Sequence, residues 1–334
     1  MRNLKTICQL DLEASPANTC RVRAWALVSS IILAAVSICV VVMRPRQVTA
    51  SPQVPGPSLS LTLSEIKIYG RAQTLIAWTP RQIHDCPFLR GLQPAEHQDQ
   101  LPMVLDRAGQ TGNQLFHDFP RIACDENVFT EATGIVVRTK SHKFRYIVIP
   151  QSDGHALAFD EYRTDLKGNP LESSRLGDFI MFTSDFASTS LYLSPADQND
   201  SRFRYFGMQT IRNRDCHVVG FAQDPVKVHS VSVILIEGKS VTLLVQGLAW
   251  IDAKSLQILR IVTWLLAPRG DIGLSSEVST VDFYPVKPSG SERVLWLPRD
   301  VTVKIRYGNW AVRNTHHYSN FKLFRVESKI KSGE

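Results

Sequence analysis

Apolar residues follow three rhythms along this chain, and each predicts a different kind of element. Residues 24–43 form a run of 20 positions without a charge. At about 1.5 Å per helical residue the run reaches roughly 30 Å, which predicts a membrane-spanning helix. Residues 44–60 carry Pro45, Pro52, Pro55, Gly56 and Pro57 among small polar residues and read as an extended tether. Leu101, Val104, Leu105, Ala108, Leu115 and Phe119 then recur at three- and four-residue spacing and predict an amphipathic helix over 101–119. Pro102 confines its start, while Gly109 and Gly112 weaken its middle. Thr79-Pro80 opens a shorter helix that ends near Asp85; residues 61–78 are ambiguous.

From Arg121 onward the rhythm shortens to runs rich in β-branched and aromatic residues, separated by turn clusters. Runs at 144–149, 157–162, 203–206, 216–222, 231–236, 241–251, 258–266, 278–284 and 301–307 predict an antiparallel meander. Residues 177–193 fit this pattern less well and leave room for a short helix at 178–182.

The hairpin of 245–251 and 258–266, joined through Asp252-Ala253-Lys254-Ser255, is apolar on both faces. A strand with one solvated face alternates apolar with polar, so here both faces need a cover. Leu248, Trp250, Val262 and Trp264 need one on one side, and Ala249, Ile251, Leu259 and Ile261 need one on the other. The 101–119 helix is the expected cover for one side; a bound apolar ligand or a second sheet layer would serve the other. Phe203, Tyr205, Leu248, Trp250, Val262, Trp264 and Trp296 are therefore the candidate lining of an apolar cleft. The simpler alternative is that these large side chains are core.

Charge changes the picture mainly at the N-terminus. Residues 1–50 hold 6 Lys+Arg against 2 Asp+Glu, which is +4 of the net +7 and leaves +3 for the rest. Arg2, Lys5, Arg21 and Arg23 precede the apolar run and only Arg44 and Arg46 follow it closely, which places residues 1–23 in the cytoplasm as a short arm and residues 61–330 in the periplasm. The alternative is secretion after cleavage following Ala50. Basic residues near the C-terminus, among them Lys304, Arg306, Arg313 and Lys322, alternate with Val303, Ile305, Val312 and Phe321, the pattern of a solvated strand face, with contact to anionic lipid headgroups as the alternative. No nucleic-acid partner is implied.

Candidate chemistry is sparse. There is no G-x-S-x-G, H-E-x-x-H, Walker A or G-x-G-x-x-G motif. The adjacent His316 and His317 point to opposite faces of a strand, and no spacing suits a metal. Asp160, Glu161 and Asp252 fall beside turns or strand ends, where solvation or turn capping is the ordinary role. Neither a catalytic group nor a cofactor is expected. Cys8, Cys20 and Cys39 lie in the arm or the span, whereas Cys86, Cys124 and Cys216 would face an oxidising compartment. Two pairings stay open: Cys124 with Cys216, which both begin strand-like stretches, and Cys86 with Cys124.

Gly247-Leu248-Ala249-Trp250-Ile251-Asp252, Ile258-Leu259-Arg260-Ile261 and Leu295-Trp296-Leu297-Pro298-Arg299-Asp300-Val301 resemble passages of the lipoprotein-carrier and anti-sigma-regulator superfamily of bacterial exported proteins. Phe203-Arg204-Tyr205 and Cys216-His217-Val218-Val219-Gly220-Phe221 resemble uncharacterised exported proteins in or near that group. The resemblance covers roughly residues 95–330. It implies a mainly β (α+β) domain, a strongly curved antiparallel half-barrel packed on one or two helices, here behind an N-terminal transmembrane helix. It further implies non-catalytic binding of an acyl chain, lipoprotein or other apolar ligand at the bacterial inner membrane. A protein-interaction or envelope-sensing module with an envelope protein partner is the alternative, and a hydrolase whose site is invisible in sequence comes third. The anchor, the length and the extra cysteines depart from the soluble carrier and speak against a shuttle.

Overall fold

The computed structural model describes residues 42–43, 61–118, 122–134, 136–152, 157–169, 188–229, 232–236 and 239–323. Most of the strands join one antiparallel sheet of 11 strands that does not close into a barrel. Its members are β2 (Gln93–Pro94), β3 (Ile122–Thr133), β4 (Arg138–Ser152), β5 (Leu157–Thr164), β6 (Ser201–Ile211), β7 (Arg214–Gln223), β10 (Val245–Asp252), β11 (Ile258–Leu265), β12 (Leu274–Val286), β13 (Leu295–Tyr307) and β14 (Trp310–Leu323). They lie in the order β2-β6-β7-β10-β11-β12-β13-β14-β3-β4-β5. A second sheet of 3 strands joins β1 (Val42–Met43), β8 (Ser232–Ile236) and β9 (Lys239–Leu243). The mainly β class and antiparallel meander expected from the sequence are present.

Register sorts the side chains into two faces. One row runs Tyr205, Val219, Ala249, Ile261, Val281, Val301, His316 and Val128 across eight strands, and its apolar members to Val301 belong to one core cluster. We call this the front face. Leu248, Trp250, Val262, Trp264 and Val278 belong to a separate cluster on the back.

Each face has its own cover. On the front lies α3 (Leu101–Asp118), the helix expected from the sequence, with Val104 and Ala108 buried in the core. It rests against a 3-10 turn, Ser188–Leu193. Gly109 makes that approach possible, since a Cβ there would lie 2.9 Å from the Leu193 carbonyl oxygen. Gln198 bridges the two by donating to the carbonyls of Leu105 at 3.2 Å and Leu193 at 2.9 Å.

The back is covered by the chain's own residues 61–92, which replace the ligand or second sheet layer expected there. This segment holds α1 (Leu63–Tyr69) and α2 (Pro80–His84), each begun by a capping box, Thr62 with Glu65 and Thr79 with Gln82. Trp78 stacks on Trp264 with ring centroids 5.9 Å apart and meets Phe206 edge-on at 6.4 Å. Backbone groups of the cover bond to sheet side chains: Leu75 N–H donates to Gln246 at 2.8 Å, and Arg204 donates to the Trp78 carbonyl at 2.6 Å. Buried Arg269 locks α1 in place by donating to Glu65, to the Tyr69 hydroxyl and to the Thr242 carbonyl.

Among the described residues no helix is long and apolar enough to cross a membrane. The expected span at 24–43 lies outside them except for Val42 and Met43. These two are extended and pair with Leu235 and Ile234, so the expected helix does not include them. The tether at 44–60 and the short helix at 178–182 also lie outside the described residues.

Candidate functional site

The seven sequence-chosen cleft residues do not line one cleft. Leu248, Trp250, Val262 and Trp264 lie on the back beneath residues 61–92, and each is 3% exposed or less. Trp250 is held there by donating from Nε1 to Gln209 at 2.7 Å. Tyr205 and Phe203 belong to the front cluster. Tyr205 is fixed by Gln98, which accepts from its N–H at 2.7 Å and donates to its carbonyl at 3.0 Å. Trp296 is partly buried, packs against both clusters and carries the Arg214 guanidinium 5.3 Å above its ring.

What the front face does bring together is a group of polar residues that sequence reasoning did not assemble. Glu126 on β3 is fully buried and accepts from Arg163 of β5 twice, from Nε at 2.6 Å and from Nη2 at 3.0 Å. His316 and Tyr318 of β14 reach the same carboxylate at 2.8 and 2.9 Å. A carboxylate only accepts, so His316 donates from Nδ1. Arg163 also lies 5.0 Å over the ring of Tyr146, whose hydroxyl donates to Glu161.

Opposing effects set the protonation states here. Burial alone would raise the Glu126 carboxyl, but the Arg163 charge and the His316 hydrogen bond outweigh it and hold the group down at about 2. Burial lowers His316 and outweighs its contact with Glu126, which keeps the imidazole neutral. Burial also raises Tyr146 and Tyr318 well above the ordinary phenol range. A carboxylate, an imidazole and two phenols in contact have the makings of acid–base chemistry. Glu126, His316 and Tyr318 are at most 1% exposed, and His316 and Tyr318 both bond to the Glu126 carboxylate, which is the arrangement of an internal strut rather than of groups offered to a substrate.

Glu161 thus departs from its expected solvated role, being buried against Tyr146. Asp252 keeps its turn-capping role: Oδ1 accepts from the N–H groups of Lys254 and Ser255, and Oδ2 accepts from Arg214 at 2.7 Å. His317 points away from His316, as adjacency requires, and contacts Asp300 at 2.7 Å.

Neither expected disulfide is present. Cys86, Cys124 and Cys216 are all buried, and no two of them are bonded to each other. Cys124 belongs to the front cluster and Cys216 to the back, and five strands separate β3 from β7 in the sheet, so the side chains cannot meet. The Cys86–Cys124 alternative fails for the same reason, since Cys86 sits in the back cluster. Burial raises the Cys216 thiol to about 11 and raises Cys124 further. Among the described residues no group of His, Cys, Asp and Glu is placed to hold a metal ion.

No family model and no curated protein matches the chain. Solved structures do. A DUF1329 family protein from Desulfovibrio piger is similar at 13% identity over 69% of this chain and 95% of that one, with a TM-score of 0.39. A LolA superfamily protein from Nitrosomonas europaea is similar at 12% identity over 68% and 94%, with a TM-score of 0.29. The lipoprotein LppX of Mycobacterium tuberculosis is similar at 10% identity over 66% and 96%, with a TM-score of 0.23. The likeness assigns this chain neither a family nor a role. At these identities no residue of this chain takes a role from it.

Proposed function

We propose that this protein is a non-catalytic binding module, held at the bacterial inner membrane by its N-terminal apolar run with its sheet in the periplasm, that receives an acyl chain or other apolar ligand between the front face and α3. The observation that carries this reading is the disproportion between that face and its described cover. Eleven strands at about 4.8 Å give a sheet roughly 50 Å wide. An 18-residue helix is about 27 Å long and roughly 10 Å across. The front cluster spreads from Tyr205 on β6 to Tyr146 and Val148 on β4, while the described cover contributes Val104 and Ala108 of α3 and Leu193 of the 3-10 turn, with Leu101, Leu105, Leu191 and Tyr192 only partly buried beside them. In the half-barrel reading such a face forms a trough, and displacing α3 gives a ligand's methylenes an apolar surface at about 0.8 kcal/mol each.

Native mass spectrometry after gentle extraction tests this. Wild-type protein is expected to carry lipid, and Leu105→Asp, which puts a charge under α3, is expected to lose most of it while still melting cooperatively. Protein that is lipid-free when extracted, and stays so when exposed to vesicles, would sink the reading.

One observation favours a second reading. β5 closes the strand order and has no strand on its outer side among the described residues, so it offers backbone groups for strand addition by a protein partner. Crosslinking in intact cells from Tyr162, which is 48% exposed on this edge, separates the two: a defined protein adduct with no bound lipid favours the interaction module.

A further inference from the structure

The buried carboxylates of this fold have donors of their own. Glu126 has Arg163, Glu161 has Tyr146, Asp252 has Arg214, and Glu65 has Arg269. Glu277 differs. It lies on β12 opposite Ile305, whose side chain belongs to the front cluster, and four residues before Val281 of the front-face row. The pairing of Val278 with Trp264 puts Leu265 on its other side. Val303, Tyr307 and Ser279 are the next front-face positions around it, and Tyr307 is the titratable group among these neighbours. Glu277 is partly buried, and its carboxyl makes no hydrogen bond or ion pair among the described residues. Burial without a compensating charge raises it to about 7.

A carboxyl in an apolar strip leaves a demand that the protein does not meet. Any donor would answer it in part, but a protonated amine supplies charge and hydrogen bonds together. An anionic headgroup would be repelled. We propose that Glu277 is the headgroup contact of the front face and receives the ammonium of an amine-bearing amphiphile whose chain lies along the neighbouring apolar residues. The inference rests on the apolar-ligand reading above.

The test uses full-length protein in amphipol, loaded with the neutral fluorophore N-phenyl-1-naphthylamine and titrated at pH 8 with dodecylamine, dodecanol or dodecyl sulfate. The amine should displace the fluorophore at a concentration on the order of tenfold below the alcohol, and the sulfate should be weakest. Glu277→Gln should abolish the amine's advantage and leave the alcohol unchanged. An amine preference that survives Glu277→Gln, or equal displacement by amine and alcohol in the wild type, overturns the headgroup assignment and leaves the apolar site standing. Failure of the fluorophore to bind removes the apolar site and this inference with it. A fold defect in the variant would leave the wild type to decide: from pH 6 to pH 8 the amine's advantage over the alcohol must grow as Glu277 ionises, and a flat profile refutes the contact.

Discussion

Glu126 and Arg163 meet across the intervening strand β4 in a two-armed ion pair, at 2.6 and 3.0 Å, with side chains 0% and 8% exposed. Removing one partner strands the other charge in the core. Glu126→Gln and Arg163→Met are each expected to cost about 3–5 kcal/mol, read as the shift of a urea transition. A double variant that deletes both charges, Glu126→Leu with Arg163→Met, should cost less than the two single variants added together. A loss below about 1 kcal/mol in both single variants would mean that the pair does not hold β3 to β5.

Two glutamates should bend the pH–stability profile in opposite directions. Glu126 is held at about 2, below its ordinary 4.5, so folding favours its ionised form. Its contribution is complete above about pH 4.5 and is lost as pH falls toward 2. Glu277 is raised from 4.5 to about 7, so folding favours its protonated form. Its contribution is complete below pH 4.5 and disappears as pH rises to 7. Melting temperatures of the wild type, Glu126→Gln and Glu277→Gln from pH 3 to pH 8 check both signs. Glu277→Gln should be the more stable protein at pH 8, by about 1–3 kcal/mol.

The same polar residues explain what the sequence concealed. Strand β3 buries Ile122, Cys124, Glu126, Val128, Thr130 and Ala132 on one face, but a glutamate and a threonine among them break the apolar alternation that marks a strand. In β14 the buried Asn314 and His316 do the same between Val312 and Tyr318. By contrast the 245–266 hairpin, the 101–119 helix and the Thr79-Pro80 helix start were legible, because their patterns are local. The cover over Trp250 and Trp264 was not. It is made by residues some 170 positions away, in a segment whose helices are short and set by capping boxes more than by periodicity.

Because residues 61–92 stand where a ligand was expected, their removal should expose aromatic core rather than change binding. Trp78→Ala deletes the ring stacked on Trp264 and is expected to cost about 3–5 kcal/mol. Limited proteolysis should then cut first within 61–92 and leave the sheet intact. Preferential cutting within the sheet would show that this segment is not a separable cover.

The three described thiols are expected to be chemically quiet. Alkylation of native protein should be slow at Cys86, Cys124 and Cys216, because all are buried and the Cys216 thiol is raised to about 11 while Cys124 lies higher still. In denaturant without reductant, mass spectrometry should find all three alkylated. A two-proton mass deficit joining any two of them would contradict the unbonded arrangement.

Gly109 offers the most direct handle on the front cover. On propensity alone, Gly109→Ala should stabilise α3 by about 1 kcal/mol. The new Cβ, however, would sit 2.9 Å from the Leu193 carbonyl oxygen, which is backbone and cannot swing aside, and 3.0 Å from Gln198 and Pro195. Relieving that overlap costs about 1–3 kcal/mol and lifts α3 from the 3-10 turn. The net effect is a modest loss of stability together with easier access to the front face, so the variant should melt slightly lower yet bind N-phenyl-1-naphthylamine faster than the wild type. A more stable protein with unchanged binding kinetics would show that the turn yields instead, and that α3 does not gate the face beneath it.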